Sequence, residues 1–189
     1  EMAVIMTALL DLKTKDYAGS CPLTDVPAWA EPYVAACYAN GIVSGTSATT
    51  YSGDATVTAA QAALMMQKAL GYFQYSSDFG DDWMVATVKQ ASKIDLFDGI
   101  DVSATAPLTR NDVAQLALNT LKATTVDADD NGIGVNPDGQ LVSKYKYAEV
   151  YKSGSDYKAI KTGDAVDGKY TVELGEKLYK GDLKLAAGG

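Results

Sequence analysis

The sequence predicts a mainly α protein of stacked helical repeats followed by a small β-rich segment, α+β overall. The first observation is internal repetition. Trp29 lies twelve residues before Gly41-Ile42-Val43-Ser44-Gly45, and Thr58-x-x-Gln61 then opens an apolar helical run. Trp83 lies twelve residues before Asp95-Leu96-Phe97-Asp98-Gly99, and Thr109-x-x-Asp112 opens another. A partial third copy starts the chain, with Glu1 to Met6 in register with Gln61 to Met66 and with Asp112 to Ala117. Repetition at a period of about 50 residues means modules that complete one another's cores. The second observation is apolar spacing of helical period, and the third is a change of composition after Ala123.

Helices are expected over 1–12, 27–40, 58–71, 82–94 and 109–123. In the first, Val4, Ile5, Ala8, Leu9 and Leu12 form one apolar face. The second begins at Pro27, which a first turn tolerates, and ends at Asn40-Gly41, where glycine takes the left-handed cap and Ile42 covers the end. In the fourth, Asp95 replaces that glycine, at a cost of about 1 kcal/mol or less. Thr58 with Gln61, and Thr109 with Asp112, form capping boxes contributing about 1 kcal/mol each. Residues 124–140 are rich in Asp, Asn and Gly and predict an acidic linker. From Leu141, alternating Tyr, Val and Lys predict a half-solvated strand, with further short strands over 155–161, 168–174 and 177–185.

Composition excludes several functions. Hydrophobic residues make up 47% of the 189, enough for a globular core. The net charge of −8 argues against nucleic acid, which requires a basic face. No apolar run approaches the ~20 residues of a bilayer span. There is no histidine, so the usual general base, nucleophile partner and commonest metal ligand are missing. No pair of acids is spaced recognisably for glycoside hydrolysis. Cys21 and Cys37 are the two cysteines: they pair in an oxidising setting, or Cys37 is a small buried residue and Cys21 a loop thiol. Because Glu1 falls inside a predicted helix, the chain is expected to be a piece of a longer precursor.

Leu23-Thr24-Asp25-Val26, Trp29-Ala30, Tyr33-Val34, Gly41 to Gly45, Tyr51 and Val57-Thr58-x-x-Gln61-Ala62-Ala63 together resemble the S-layer homology family. The resemblance covers roughly residues 1–123: a partial repeat over 1–20 and complete repeats over 21–74 and 75–123. It implies helix-loop-helix motifs in a pseudo-trimeric bundle, here partial, whose job is to hold a bacterial surface protein to an acidic, often pyruvylated, secondary wall polysaccharide. Localisation at the cell wall or S-layer follows from it. The β-rich segment 141–189 lies outside it and is expected to be incomplete.

Arg110 is the only arginine. In the first turn of a helix a cation is misplaced by ~0.3–1 kcal/mol, because the helix start is itself positive. Holding an anion there explains the placement, since amide N–H groups and a guanidinium fork suit a carboxylate or phosphate. The resemblance gives Arg110, with Thr109 beside it, the contact to the acidic sugar; the alternative is an ion pair with an acid of a neighbouring repeat. In the first complete copy Ala59 stands where the family has arginine, so that groove is expected to bind anions weakly. Ser44, Gly45, Thr58 and Gly99 lie on the family's groove-lining loops and helix start, where Asp98 would repel an acidic sugar. Trp29 and Trp83 are expected in the core, with sugar stacking as the alternative. No cofactor is expected. A weaker reading places calcium in an EF-hand-like loop of Asp127, Asp129, Asn131 and Asp138, although no glutamate closes it.

The sequence therefore predicts a non-catalytic wall anchor. The alternatives are the anchor region of a surface enzyme whose catalytic domain lies elsewhere, and a protein that self-associates in a surface lattice.

Overall fold

The computed structural model describes residues 1–135, 141–147 and 173–179. Five helices carry the repeats: α1 (Met2–Leu9), α2 (Glu31–Ala39), α3 (Ala59–Leu70), α4 (Trp83–Lys93) and α5 (Arg110–Lys122). Two strands, β1 (Val126–Val135) and β2 (Leu141–Tyr147), form an antiparallel pair, and a short helix, α6 (Leu174–Leu178), follows. Single 3-10 turns span Thr14–Tyr17 and Ser76–Phe79.

Helices α1 to α4 stop in the same way. One or two residues past each end the backbone turns left-handed: Asp11 (φ 49), Gly41 (φ 71), Gly71 (φ 106) and Asp95 (φ 54). The next amide then bonds back five residues, Leu12 to Thr7, Ile42 to Cys37, Tyr72 to Gln67 and Leu96 to Ala91, at 2.9 to 3.0 Å. This closure satisfies carbonyls that a helix end leaves open. Ile42 and Leu96 then fold under their helices and are buried. The left-handed Asp95 fulfils the expectation from the sequence.

Helix α2 starts four residues later than expected. Pro32 lacks the N–H that would bond to Ala28, so Pro27 opens a separate turn, with Ala30 and Glu31 amides on its carbonyl. The buried stripe of α1 also differs: Met2, Ala3, Met6 and Leu9 face inward and Ala8 is exposed. Nearly every position of α1 is apolar, so its inward face is chosen by what packs on it. That core gathers Met6, Val34, Cys37, Ala62, Ala63, Met66, Ala91, Leu96 and Leu116 from all five helices. Cys21 and Cys37 are both free thiols. Burial pushes the Cys37 thiol up to about 12, and its Sγ lies 3.6 Å from the Ala3 carbonyl oxygen.

The two tryptophans correct the expectation of a core role. Trp29 is 63% exposed and Trp83 37%. Trp29 sits in the turn ahead of α2, where Ala30 and Val34 supply the inward contacts. Trp83 opens the stripe that Thr87 and Ala91 continue inward.

The linker expected at 124–140 is largely strand. β1 pairs with β2 from Val126 opposite Tyr147 to Val135 opposite Leu141, with an irregularity between Asp129 and Ile133 where the turn-forming residues lie. Burial overrides their turn preference at the start of the strand: Val126 packs with Leu70, Tyr72, Phe73 and Leu174 in a second cluster. A Cβ at Gly71 would collide with the Val126 carbonyl oxygen, so β1 crosses where only glycine fits. The strand at Leu141–Tyr147 matches the expectation. Tyr145 packs against Tyr72 with ring centroids 5.3 Å apart and the rings tilted by 58°. Its hydroxyl accepts from the Gln74 amide at 2.8 Å and donates to the Asp78 carboxylate. Of the strands expected over 168–174 and 177–185, Leu174, Lys177 and Leu178 are helical, because Leu174 and Leu178, one turn apart, cover that second cluster, and residues 168–172 and 180–185 lie outside the described residues. The strand expected at 155–161 lies outside the described residues.

Gly71→Ala is expected to destabilise the protein by at least about 1–2 kcal/mol, from the left-handed backbone alone, measured by denaturant unfolding. Burial first, then Asp78, raise the Tyr145 phenol above its ordinary 10.0. A raised acid contributes below its unfolded pKa and loses that contribution as pH rises. Thermal stability is therefore expected to fall above pH 10 in the parent, and Tyr145→Phe, already less stable at neutral pH by about 1–3 kcal/mol, is expected to lack that part of the fall.

Candidate functional site

The repeat helices α3 and α5 start side by side. The segment before α5 runs along the start of α3: the Leu108 amide bonds the Val57 carbonyl at 3.2 Å, and Thr58 bridges Pro107. On the other side, Arg110 Nη2 lies 3.5 Å from Glu1 Oε1 at the start of α1. Three helix starts, each carrying partial positive charge, thus gather at one end of the molecule.

Their chemistry differs. At α3, Thr58 Oγ1 accepts from the Gln61 amide at 3.3 Å and Gln61 Oε1 accepts from the Thr58 amide at 3.0 Å. The next two amides are also used, Ala59 on the Ala106 carbonyl and Ala60 on the Ala104 carbonyl, both at 2.9 Å. Ala59 and Ala60 have no exposed surface. This helix start is closed as well as lacking arginine.

At α5, Thr109 Oγ1 accepts from the Asp112 amide at 3.2 Å. Asp112 Oδ2 accepts both the Thr109 amide, at 2.9 Å, and the Thr109 hydroxyl, at 2.6 Å. Those two bonds, the hydroxyl's first, hold the Asp112 carboxyl below its usual range. Thr109 is occupied by its own cap. Among the described residues, nothing accepts from the amides of Arg110 and Asn111. The Arg110 side chain is 91% exposed and that of Glu1 79%. The ion pair with a neighbouring repeat is therefore formed, but such exposed pairs contribute only ~0–1 kcal/mol. The guanidinium remains open to an incoming anion.

The other singled-out residues lie on the loops. Ser44 is exposed, and Gly45 is left-handed (φ 81), where a Cβ would come within 2.7 Å of the Thr50 carbonyl oxygen. Gly99 is also left-handed (φ 73), beside the Gln115 side chain. Sequence reasoning missed the residues that fix these loops. Asp25 accepts the amides of Tyr51 and Ser52 at 2.6 and 2.8 Å, which lowers its pKa. Glu31 accepts from Gly19 and Cys21, each at 3.0 Å. Asn119 donates to the carbonyls of Leu96 and Asp98 at 2.9 and 2.7 Å. An aspartate or asparagine facing a glycine-containing loop was the available signal. Asp25 and Asp54 line a hollow of roughly 210 Å³ with Pro27 and Ser52, a surface that repels anions.

Asp127 and Asp129 lie on β1, opposite Lys146 and Lys144 in the ladder, and Asn131 falls in the irregularity. Asp138 lies outside the described residues. Among the described residues, no group of three His, Cys, Asp or Glu side chains is placed to hold a metal ion. No helix among them is long and apolar enough to cross a membrane.

Residues 22–63 match the family model of the S-layer homology domain. Over this stretch the chain is similar to the S-layer homology family. That span includes the Trp29 turn, α2, the Gly41–Gly45 loop and the capped start of α3, and a domain of this family associates a protein with the cell surface. An endoglucanase of Bacillus sp. (strain KSM-635) is 26% identical over 166 residues, which cover 82% of this chain. The chain spans only 16% of the length of that relative. No solved structure matches.

Thr109→Ala is expected to cost about 1 kcal/mol of stability, read by chemical denaturation. Because the Asp112 carboxyl is held low by this cap, its contribution is present at neutral pH and lost as pH falls below the ordinary carboxylate value of 3.8. Thr109→Ala is expected to flatten that acid limb.

Proposed function

We propose that this chain is a non-catalytic anchor that binds an anionic secondary polysaccharide of a bacterial cell wall from the extracellular side. The observation that carries the reading is Arg110: the one guanidinium of the chain stands exposed at a helix start whose first amides have no acceptor among the described residues. An acidic sugar, such as a pyruvylated one, supplies the carboxylate that this arrangement receives. The closed start of α3 supports a single anion contact in this region rather than one per groove. Trp29 and Trp83, both exposed, supply aromatic faces suited to sugar rings.

A second reading concerns what is anchored. The likeness to part of an endoglucanase favours an anchor region attached to a surface enzyme, with catalysis carried elsewhere.

The protein is expected to sediment with purified bacterial cell wall, and soluble pyruvylated sugar to release it. Losing a charged hydrogen-bond partner costs about 1.5–3 kcal/mol, so Arg110→Ala is expected to weaken wall binding by about ten-fold or more. Equal binding by parent and variant would remove Arg110 from the site.

A further inference from the structure

We propose that Tyr179 is a positioning residue for the glycan contact: with Leu174 it ties the far ends of α1 and α5 together, and this tie sets the tilt of α5 and so the aim of its open start at Arg110. This rests on the reading of Arg110 as the glycan contact and adds that a segment outside the repeats tunes it.

Helix α5 is held at its start, its middle and its end. At the start, the bonds to the α3 side stop at Leu108, one residue before the capping Thr109. They fix where the helix begins more than where it points. In the middle, Leu116 is buried in the shared core, where apolar contact is non-directional. At the end, the Leu174 amide donates to the Ala123 carbonyl at 3.0 Å, and Glu173 bridges Thr124. Leu174 and Leu178 then pack with Leu10 and Leu70, from the ends of α1 and α3. Tyr179 follows at once, its hydroxyl donating between the carbonyls of Ala8 and Leu9 at 2.6 and 2.8 Å, in the last turn of α1.

That hydroxyl is the directional part of the tie, because a hydrogen bond weakens steeply as its geometry is lost. The 13 residues of α5 make a rod about 20 Å long. A rod pivoting on Leu116 moves both ends at once, so a shift at Ala123 returns as an opposite shift of the Arg110 and Asn111 amides. Tyr145 offers the contrast. It ties β2 to the segment after α3, through Gln74 and Asp78, and bonds to neither α1 nor α5. One tyrosine secures the hairpin, and the other joins the first repeat helix to the last.

The test measures sedimentation of the 189-residue chain with purified bacterial cell wall. Tyr179→Phe keeps the ring, loses the hydroxyl, and is expected to weaken wall binding by about two- to ten-fold. Before any wall is added, the amide NMR signals of Arg110 and Asn111 are expected to shift in this variant. Tyr145→Phe, which costs stability elsewhere, is expected to leave both readouts as in the parent. In an Arg110→Ala background, Tyr179→Phe is expected to change binding no further. If Arg110→Ala weakens binding while Tyr179→Phe leaves it unchanged, the tie has no positioning role and the glycan contact stands. Equal weakening by Tyr145→Phe would reduce the effect to stability and overturn the proposal. Weaker binding with unmoved Arg110 and Asn111 signals, or a further loss in the Arg110→Ala background, would place the effect on another surface and overturn it too. Unchanged binding in Arg110→Ala would remove the underlying contact.

Discussion

The helix stop is the constraint from which the rest of the molecule follows. A left-handed residue and an amide bonded back five positions occur at the ends of α1, α2, α3 and α4, and after α2, α3 and α4 the residue that makes this bond, Ile42, Tyr72 or Leu96, is buried. Each stop turns the chain sharply while satisfying carbonyls that would otherwise require water. In the two complete repeats it delivers Ile42 and Leu96 to the same core. The loops that follow, through Gly45 and Gly99, inherit their direction from it. Aspartate performs the turn at positions 11 and 95, because its short polar side chain tolerates the left-handed region at modest cost.

A stack of repeats also has to be closed at its ends, since each module leaves an apolar face for the next. Helix α1 packs on α2, α3 on α4, and α5 on α6. The last of these pairings takes its helix from beyond the repeats. The Leu174 amide bonds the Ala123 carbonyl at 3.0 Å, next to the end of α5. The Tyr179 hydroxyl bonds the carbonyls of Ala8 and Leu9 at 2.6 and 2.8 Å. Residues 173–179 thus touch both the last and the first repeat helix. The β1–β2 hairpin covers the end of α3 in a similar way, through Val126 and Tyr145. The segments after Ala123 that the structure describes complete the helical part rather than hang from it.

Two helix starts with nearly the same capping chemistry differ in what they leave available. Thr58 with Gln61 and Thr109 with Asp112 close the first turns alike. A loop carbonyl then decides whether the remaining amides are free, and at α3 two of them are taken. Arginine is absent from the closed start and present at the open one. A cap is a local device, but whether a helix start can serve an anion is a question of what lies across from it.

The sequence by itself determined the period, the two capping boxes, the left-handed stops at Gly41 and Asp95, and the strand at Leu141–Tyr147. All of these are set by residues within a few positions of one another. Pro32 is equally local and fixes the start of α2, while Pro27 opens the separate turn before it. Tertiary structure decided the rest: which stripe of the uniformly apolar α1 faces inward, that Trp29 stands outside, and that an Asp-, Asn- and Gly-rich stretch becomes strand. It also made Leu174–Leu178 a helix and paired Arg110 with Glu1, 109 positions away. Each of these outcomes depends on surface supplied by a distant part of the chain, and burial against that surface outweighs the preferences that neighbouring residues express.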